Sequence, residues 1–376
     1  MKFVIAPDKF KGSLTGFQFC DAVEEGLRMV FREAKILKMP LADGGDGTIE
    51  VVKHYLEGEK ITLKVNDPLS RPVSASYLFS SESHIAYIEM AEASGLKLLK
   101  DAERDCVNAS TYGTGELIVD AIEKGATEII LGIGGSATND AGIGVASALG
   151  YRFLDKNGDE LKPVGSSLIE VTNIDDSEIH PKFRDVKVKV ACDVSNPFYG
   201  ENGAAKIYAA QKGASEEEVE LLDNGLRNFA KTIREKYETD LQKIKGAGAA
   251  GGIGGGAVVF LNGTLTSGID LIKELADFDN VILGADWIIT GEGQLDEQTL
   301  SGKTINGVVI SAAKKQIPVA ALCGSVSISI EQQKEFGLDY VISIVRGIST
   351  LKEAMETSYG NLTNASYNFA TLLRKG

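Results

Sequence analysis

Short apolar runs followed by glycine-bearing loops and amphipathic segments occur at both ends of this chain, and the stretch between the ends keeps a different order. Residues 3–6 (FVIA) are apolar up to Pro7, and residues 15–31 then show helical spacing with Thr15 placed to cap them. The same succession recurs with KILKMP (35–40), the loop LADGGDG (41–47) and the periodic segment 48–56. From residue 286 it returns as DWIIT, a loop, a helix over 304–315, the run IPVAALCG, a helix, YVISIV and a terminal helix. Such alternation builds a parallel sheet, because each strand needs a crossover helix before the next can lie beside it in the same direction. The two ends are therefore expected to share one sheet, with the middle inserted.

That middle begins with ITLKVN, VSASYLF and HIAYIEM (59–90), alternating runs broken by DPLSRP that read as antiparallel strands. Beyond them come a helix near 112–124, the strand EIILGI (128–133), a glycine loop, a helix over 141–149, a hairpin signal at Lys156-Asn157-Gly158 and the strand VKVKVACD (186–193). A long charged helix over 215–239 follows. After it, a Gly/Ala run (246–262) can only pack tightly against other backbone. A chain of 376 residues exceeds the roughly 250–300 that one core serves. The expectation is a two-lobed α/β protein: a Rossmann-like parallel-sheet domain from residues 1–68 and 285–376, an inserted mixed α/β domain over 69–284, and an active-site cleft between them.

Charge and cysteine usage exclude several partners. Lys plus Arg number 39 against 53 Asp plus Glu, a net −14 that repels nucleic acid and anionic lipid. Cys20, Cys106, Cys192 and Cys323 lack CxxC spacing, so neither a zinc site nor a disulfide framework is indicated. No stretch approaches the ~20 apolar residues of a membrane span, and a cytoplasmic protein is expected. His54, His84 and His180 have no metal-ligand spacing, and without a GxSxG elbow a Ser/His/Asp hydrolase has no foothold.

Five loops combine glycine with carboxylate, hydroxyl or ammonium groups at the ends of expected strands, where open α/β sheets hold their ligands. APDKFKGSL (6–14) sets Asp8, Lys9, Lys11 and Ser13 around a turn suited to a carboxylate or phosphate, or simply to solvent. In PLADGGDGT (40–48), Asp43 and Asp46 stand among glycines that let a hydrated Mg²⁺ approach, though an Asp-rich turn capping the next helix reads equally well. GIGGSATNDAG (132–142) offers successive amides with Gly134, Gly135, Ser136 and Thr138 as a phosphate cradle. ACDVSNP (191–197) ends in Asp193 at a strand tip, a carboxylate for chemistry or for a structural turn. ITGEGQLDEQTLSGKT (289–304) holds Gly291, Glu292, Asp296 and Lys303, but Glu297 replaces the glycine that a GxxxxGK[ST] loop needs. Thr114 in YGTGELI reads as a cap or packing site. GAGAAGG (246–252) contains GxGxxG with Asp270 downstream, yet LQKIK before it makes a poor strand.

Read in order, APDKFKGSL, PLADGGDGT, DPLSRPV, YGTGELI, GIGGSATNDAG, CDVSNP, GAGAAGG and ITGEGQLDEQT resemble the bacterial type I glycerate kinases from residue 6 to about residue 304. The resemblance implies a two-lobed α/β enzyme that phosphorylates D-glycerate with ATP and Mg²⁺, usually to 2-phosphoglycerate. It departs from the family pattern at Ser70 and Ala141, where glycine is usual, at Asp46, often Glu, and at Gln294, commonly Arg. Phosphoryl transfer needs positioning, charge neutralisation and a base. Asp193 is the expected base or hydroxyl anchor, with Lys9 and Asp296 beside it in catalysis. Asp8, Lys11 and Ser13 are expected to bind substrate, and Gly134, Gly135, Ser136, Thr138, Gly291, Glu292 and Lys303 to bind nucleotide phosphates. Asp43 and Asp46 are the expected metal ligands, with Asp296 a further candidate. A nicotinamide-dependent oxidoreductase using GAGAAGG, and a non-catalytic carboxylate-binding module, are the rival readings.

Overall fold

The computed structural model describes residues 1–44, 48–300 and 303–375. They form two compact units, residues 1–55 with 267–376 and residues 56–266. The expected boundaries lay at 68/69 and 284/285. Strand Glu59–Asn66 pairs along its whole length with Pro72–Ser80, which places it in the second unit. Helix Gly268–Leu275 belongs to the first, where a Cβ on Gly268 would sit 2.3 Å from the Asp43 carbonyl oxygen.

The first unit is built on a five-stranded sheet ordered Tyr340–Ser343, Val319–Cys323, Trp287–Thr290, Lys2–Ile5, Lys35–Lys38, with every pairing parallel. Both chain ends thus enter one sheet, as the alternation requires. Buried Phe3, Ile5, Ile289, Ala320 and Leu322 meet Phe19, Val23 and Leu27 of helix Gly16–Arg28 and Leu362 and Phe369 of helix Ser358–Lys375. Helix Gly16–Arg28 starts at a capping box in which Thr15 accepts from the Gln18 amide and Gln18 answers to Thr15. Lys2–Ile5 leads to Lys35–Lys38 on one side, while Trp287–Thr290 leads away to Val319–Cys323 on the other. Strand order therefore reverses between Lys2–Ile5 and Trp287–Thr290, the place where open α/β sheets leave a crevice beyond the strand C-termini.

A six-stranded mixed sheet organises the second unit in the order Thr264–Thr266, Lys187–Ala191, Glu128–Gly132, Ile85–Glu89, Pro72–Ser80, Glu59–Asn66. Its last three strands are antiparallel and the rest parallel, so the change of pattern at 59–90 was legible. Lys156-Asn157-Gly158 forms a turn in which Asp155 Oδ1 accepts from the amides of Asn157 and Asp159. The chain doubles back antiparallel around it, with Leu154 bridged to Glu160, Asp155 donating to the Asp159 carbonyl and Leu161 to that of Phe153, while strand Arg152–Leu154 finds its ladder partner in Asn173–Asp175.

The Gly/Ala run is a wedge. Cβ atoms added at Gly248, Gly251, Gly254 and Gly256 would lie 2.0–2.1 Å from the carbonyl oxygens of Pro197, Thr138, Gly246 and Ala141. Three-ten turn Leu241–Lys243, not a strand, precedes it, and two of the four glycines press on residues 138–141. The dinucleotide reading of GAGAAGG fails on that geometry, because the fingerprint's second glycine, here Gly248, must leave room for a pyrophosphate and is instead packed on the Pro197 carbonyl. Asp270, the acid that reading needed, accepts from Ser267 and Lys273 in the first unit.

Candidate active site

Every strand of the first unit's sheet delivers residues at its C-terminal end to one pocket of about 710 Å³. Lys2–Ile5 brings Asp8, Lys9, Lys11 and Ser13, and Lys35–Lys38 brings Asp43. Trp287–Thr290 brings Glu292, Gln294 and Asp296, Val319–Cys323 brings Gly324 and Ser325, and Tyr340–Ser343 brings Ile344 and Val345. Leu351, Ala354 and Met355 form an apolar flank, and Lys303 enters from the N-terminal cap of helix Thr304–Lys315.

Asp8 is held firmly. Its Oδ2 accepts from Thr304 Oγ1 at 2.6 Å and its Oδ1 from the Lys9 amide at 2.7 Å. Burial lifts its carboxyl to about 6, with Asp43 adding to the effect against those hydrogen bonds. Glu292 is only 8% exposed, and its Oε1 is buried without a hydrogen-bond partner. Burial, joined by the nearby charges of Asp8 and Asp296, raises it to about 7. An orphaned buried carboxylate oxygen costs free energy unless something else satisfies it, so the wall carrying it is suited to a polar ligand. Lys9 and Lys303 are half-buried and Lys11 is exposed, giving the pocket cations beside its acids. Ser13 also lines it, its hydroxyl engaged with the Met355 carbonyl and Ser358 Oγ.

Gly291 does not line this pocket. Its lack of a side chain serves packing, since a Cβ there would stand 2.1 Å from the Leu322 oxygen and 2.6 Å from the Phe19 ring. Asp46 lies outside the described residues. Among the described residues no group of three or more His, Cys, Asp or Glu side chains could by itself hold a metal ion.

In the second unit the loop 132–142 is anchored on several sides. Asp140, fully buried, accepts from the Thr111 amide and hydroxyl at 2.7 and 2.8 Å and from the amides of Gly142 and Gly144. Leu96 donates to the Gly135 carbonyl and Ala137 to that of Ser94. Gly134 and Gly135 are exposed, and a Cβ at Gly134 would meet nothing within 4 Å. Ser136 and Thr138 instead point inward: Ser136 Oγ accepts from Lys212 Nζ at 2.6 Å, and Thr138 is fully buried with Oγ1 unpartnered. Only the glycines of the expected cradle present open backbone. Lys212, missed by sequence reasoning, is buried and also donates to the Thr138 carbonyl at 2.7 Å. Its setting in YAAQKGAS carried no motif that could have flagged it.

Thr114 packs rather than caps, sharing a hydrogen bond with Ser94 Oγ inside the core. Asp193 is exposed just beyond strand Lys187–Ala191.

The model of the glycerate kinase family matches residues 3–374. A glycerate kinase of Halalkalibacterium halodurans is 44% identical over 369 residues, covering 98% of this chain and 97% of that protein. A glycerate 2-kinase of Escherichia coli K12 is 42% identical over 100% of this chain and 99% of its own length. The crystal structure of a candidate glycerate kinase 2 from Salmonella typhimurium LT2 superposes with a TM-score of 0.89 at 38% identity, covering 100% of this chain and 99% of that one. Among the described residues no helix is long and apolar enough to cross a membrane.

Proposed function

The chain belongs to the glycerate kinase family, and from that premise we propose that it transfers the terminal phosphate of ATP to D-glycerate in the cytoplasm, giving 2-phosphoglycerate with Mg²⁺ as cofactor. The observation that carries the reading is the pocket at the strand-order reversal, where Asp8, Lys9, Glu292 and Lys303 converge with an unsatisfied carboxylate oxygen among them. Phosphoryl transfer asks a protein for positioning and charge compensation more than for covalent chemistry, and such a wall of paired signs suits anionic reactants.

Lys9 and Lys11 would grip the glycerate carboxylate or the migrating phosphate, with Asp8 fixed between Thr304 and its own loop to orient Lys9. Glu292, partly protonated near neutrality, can donate a hydrogen bond to a phosphate oxygen where a plain carboxylate would repel it. Lys303 adds a point charge at a helix start. Mg²⁺ generally needs only one or two protein carboxylates beside substrate phosphates, so Asp43 and Asp296 fit it without a protein-only cage. When bound, the ion would neutralise developing charge on the phosphates. Exposed Gly134 and Gly135 would offer amides to nucleotide phosphate, and Asp193 would receive the hydroxyl proton or anchor the hydroxyl.

A ³¹P NMR spectrum of the product from D-glycerate and MgATP tests both activity and regiochemistry; a 3-phosphate or no product refutes the corresponding part. Asp193→Asn should lower kcat by ~10²-fold or more, as bases of this kind contribute. A turnover number within about tenfold of the parent removes Asp193 from that role.

A further inference from the structure

Lys212 is 3% exposed, and among the described residues no carboxylate lies within salt-bridge distance of its ammonium. A buried cation without an anionic partner is costly, and its pKa reflects this: burial holds it down at about 8, against weaker opposing influences from Cys106 and Asp140. Asp140 offers no relief, because its oxygens are occupied by Thr111, Gly142 and Gly144. The ammonium donates to two atoms, both on the loop 132–142, Ser136 Oγ and the Thr138 carbonyl. Elsewhere on that loop the Asp140 carboxylate is tied to Thr111, Gly142 and Gly144, whereas Thr138 Oγ1 and the Asn139 amide are buried without partners.

We infer that Lys212 is a positioning residue for nucleotide phosphate: its ammonium fixes the curvature of residues 134–138 through Ser136 and Thr138, and supplies from behind the loop the positive charge that an anion on the exposed Gly134–Gly135 backbone requires. An anion arriving there gives the buried charge the counterpart it lacks, so part of the cost of burying Lys212 is recovered only when the nucleotide binds. The inference rests on reading this loop as the one that meets phosphate.

Lys212→Met, Ser136→Ala and the double variant, assayed for MgADP binding by calorimetry and for both Michaelis constants, test it. For Lys212→Met the MgADP Kd and the KM for ATP should rise at least about tenfold while the KM for D-glycerate stays within about twofold. Ser136→Ala should raise the nucleotide constants by roughly two- to fivefold with little change in thermal midpoint, and the double variant should be no worse than Lys212→Met, because both act through one contact. Unchanged nucleotide constants in folded Lys212→Met overturn the inference. So does an equal loss for both substrates that tracks a fall in thermal stability, which marks a purely structural lysine. Should Lys212→Met not fold, Ser136→Ala decides alone, and parent-like nucleotide binding in it counts against the inference. Failure of the kinase reading would show differently, as a parent protein that releases no ADP when D-glycerate is added.

Discussion

Ser70 and Ala141, where the sequence resemblance leads one to expect glycine, both adopt positive φ, +61° and +54°. A side chain in that region costs roughly 1–2 kcal/mol, and glycine there adds back about 0.4–1 kcal/mol of unfolded-state entropy. Ser70 is exposed in the turn after Asp67, so Ser70→Gly should stabilise the protein by up to ~1 kcal/mol, seen as a higher denaturant midpoint at unchanged m-value. Glu292 makes the opposite kind of sacrifice. Its folded pKa is raised from 4.5 to about 7, so the native state holds more protons than the unfolded state across that window, and stability falls as pH rises through it. Glu292→Gln should therefore melt a few degrees above the parent at pH 8, with the gap closing toward pH 5, while catalysis suffers. A gap that is constant with pH would mean the carboxyl is not ionising inside the pocket.

Loops and helix starts show which elements carried their meaning in sequence. Thr15 and helix 304–315 could be read directly, because capping and periodicity are local. The glycines could be located but not sorted. A Cβ at Gly134 would meet nothing within 4 Å, whereas Gly251, at φ +79°, would set its Cβ 2.1 Å from the Thr138 oxygen. Residue type alone does not separate a glycine that faces open space from one that meets another loop's backbone. Gly251→Ala should displace the 132–142 loop and lower the thermal midpoint by several degrees. Gly134→Ala should leave stability within about 0.5 kcal/mol and act only on nucleotide affinity, as measured by melting and by the KM for ATP. Lys212 was illegible for a related reason: its significance comes from lying beneath a loop distant in the chain, and no local pattern records that.

At the scale of the whole molecule, alternation at both ends was enough to place residues from both termini in one sheet, while the exact boundaries depended on pairings that only register reveals. Residues 56–266 are contiguous and have their own core, from Val65 and Ile88 through Phe229 to Leu261. Expressed alone, that segment should give a cooperative melt and protected amides in strand Glu128–Gly132 by hydrogen exchange; a featureless unfolding curve would show that its core is not self-sufficient. The other unit has no such independence in time. Lys2–Ile5 lies inside the five-stranded sheet, and its neighbour Trp287–Thr290 is made only after the entire second unit. At translation speeds of roughly 5–20 residues per second, an apolar interior strand waits on the order of tens of seconds at the ribosome with one edge unpaired. Slowing the ribosome should therefore aggravate misfolding of the half that is synthesised first, measured as the soluble fraction of newly made chain.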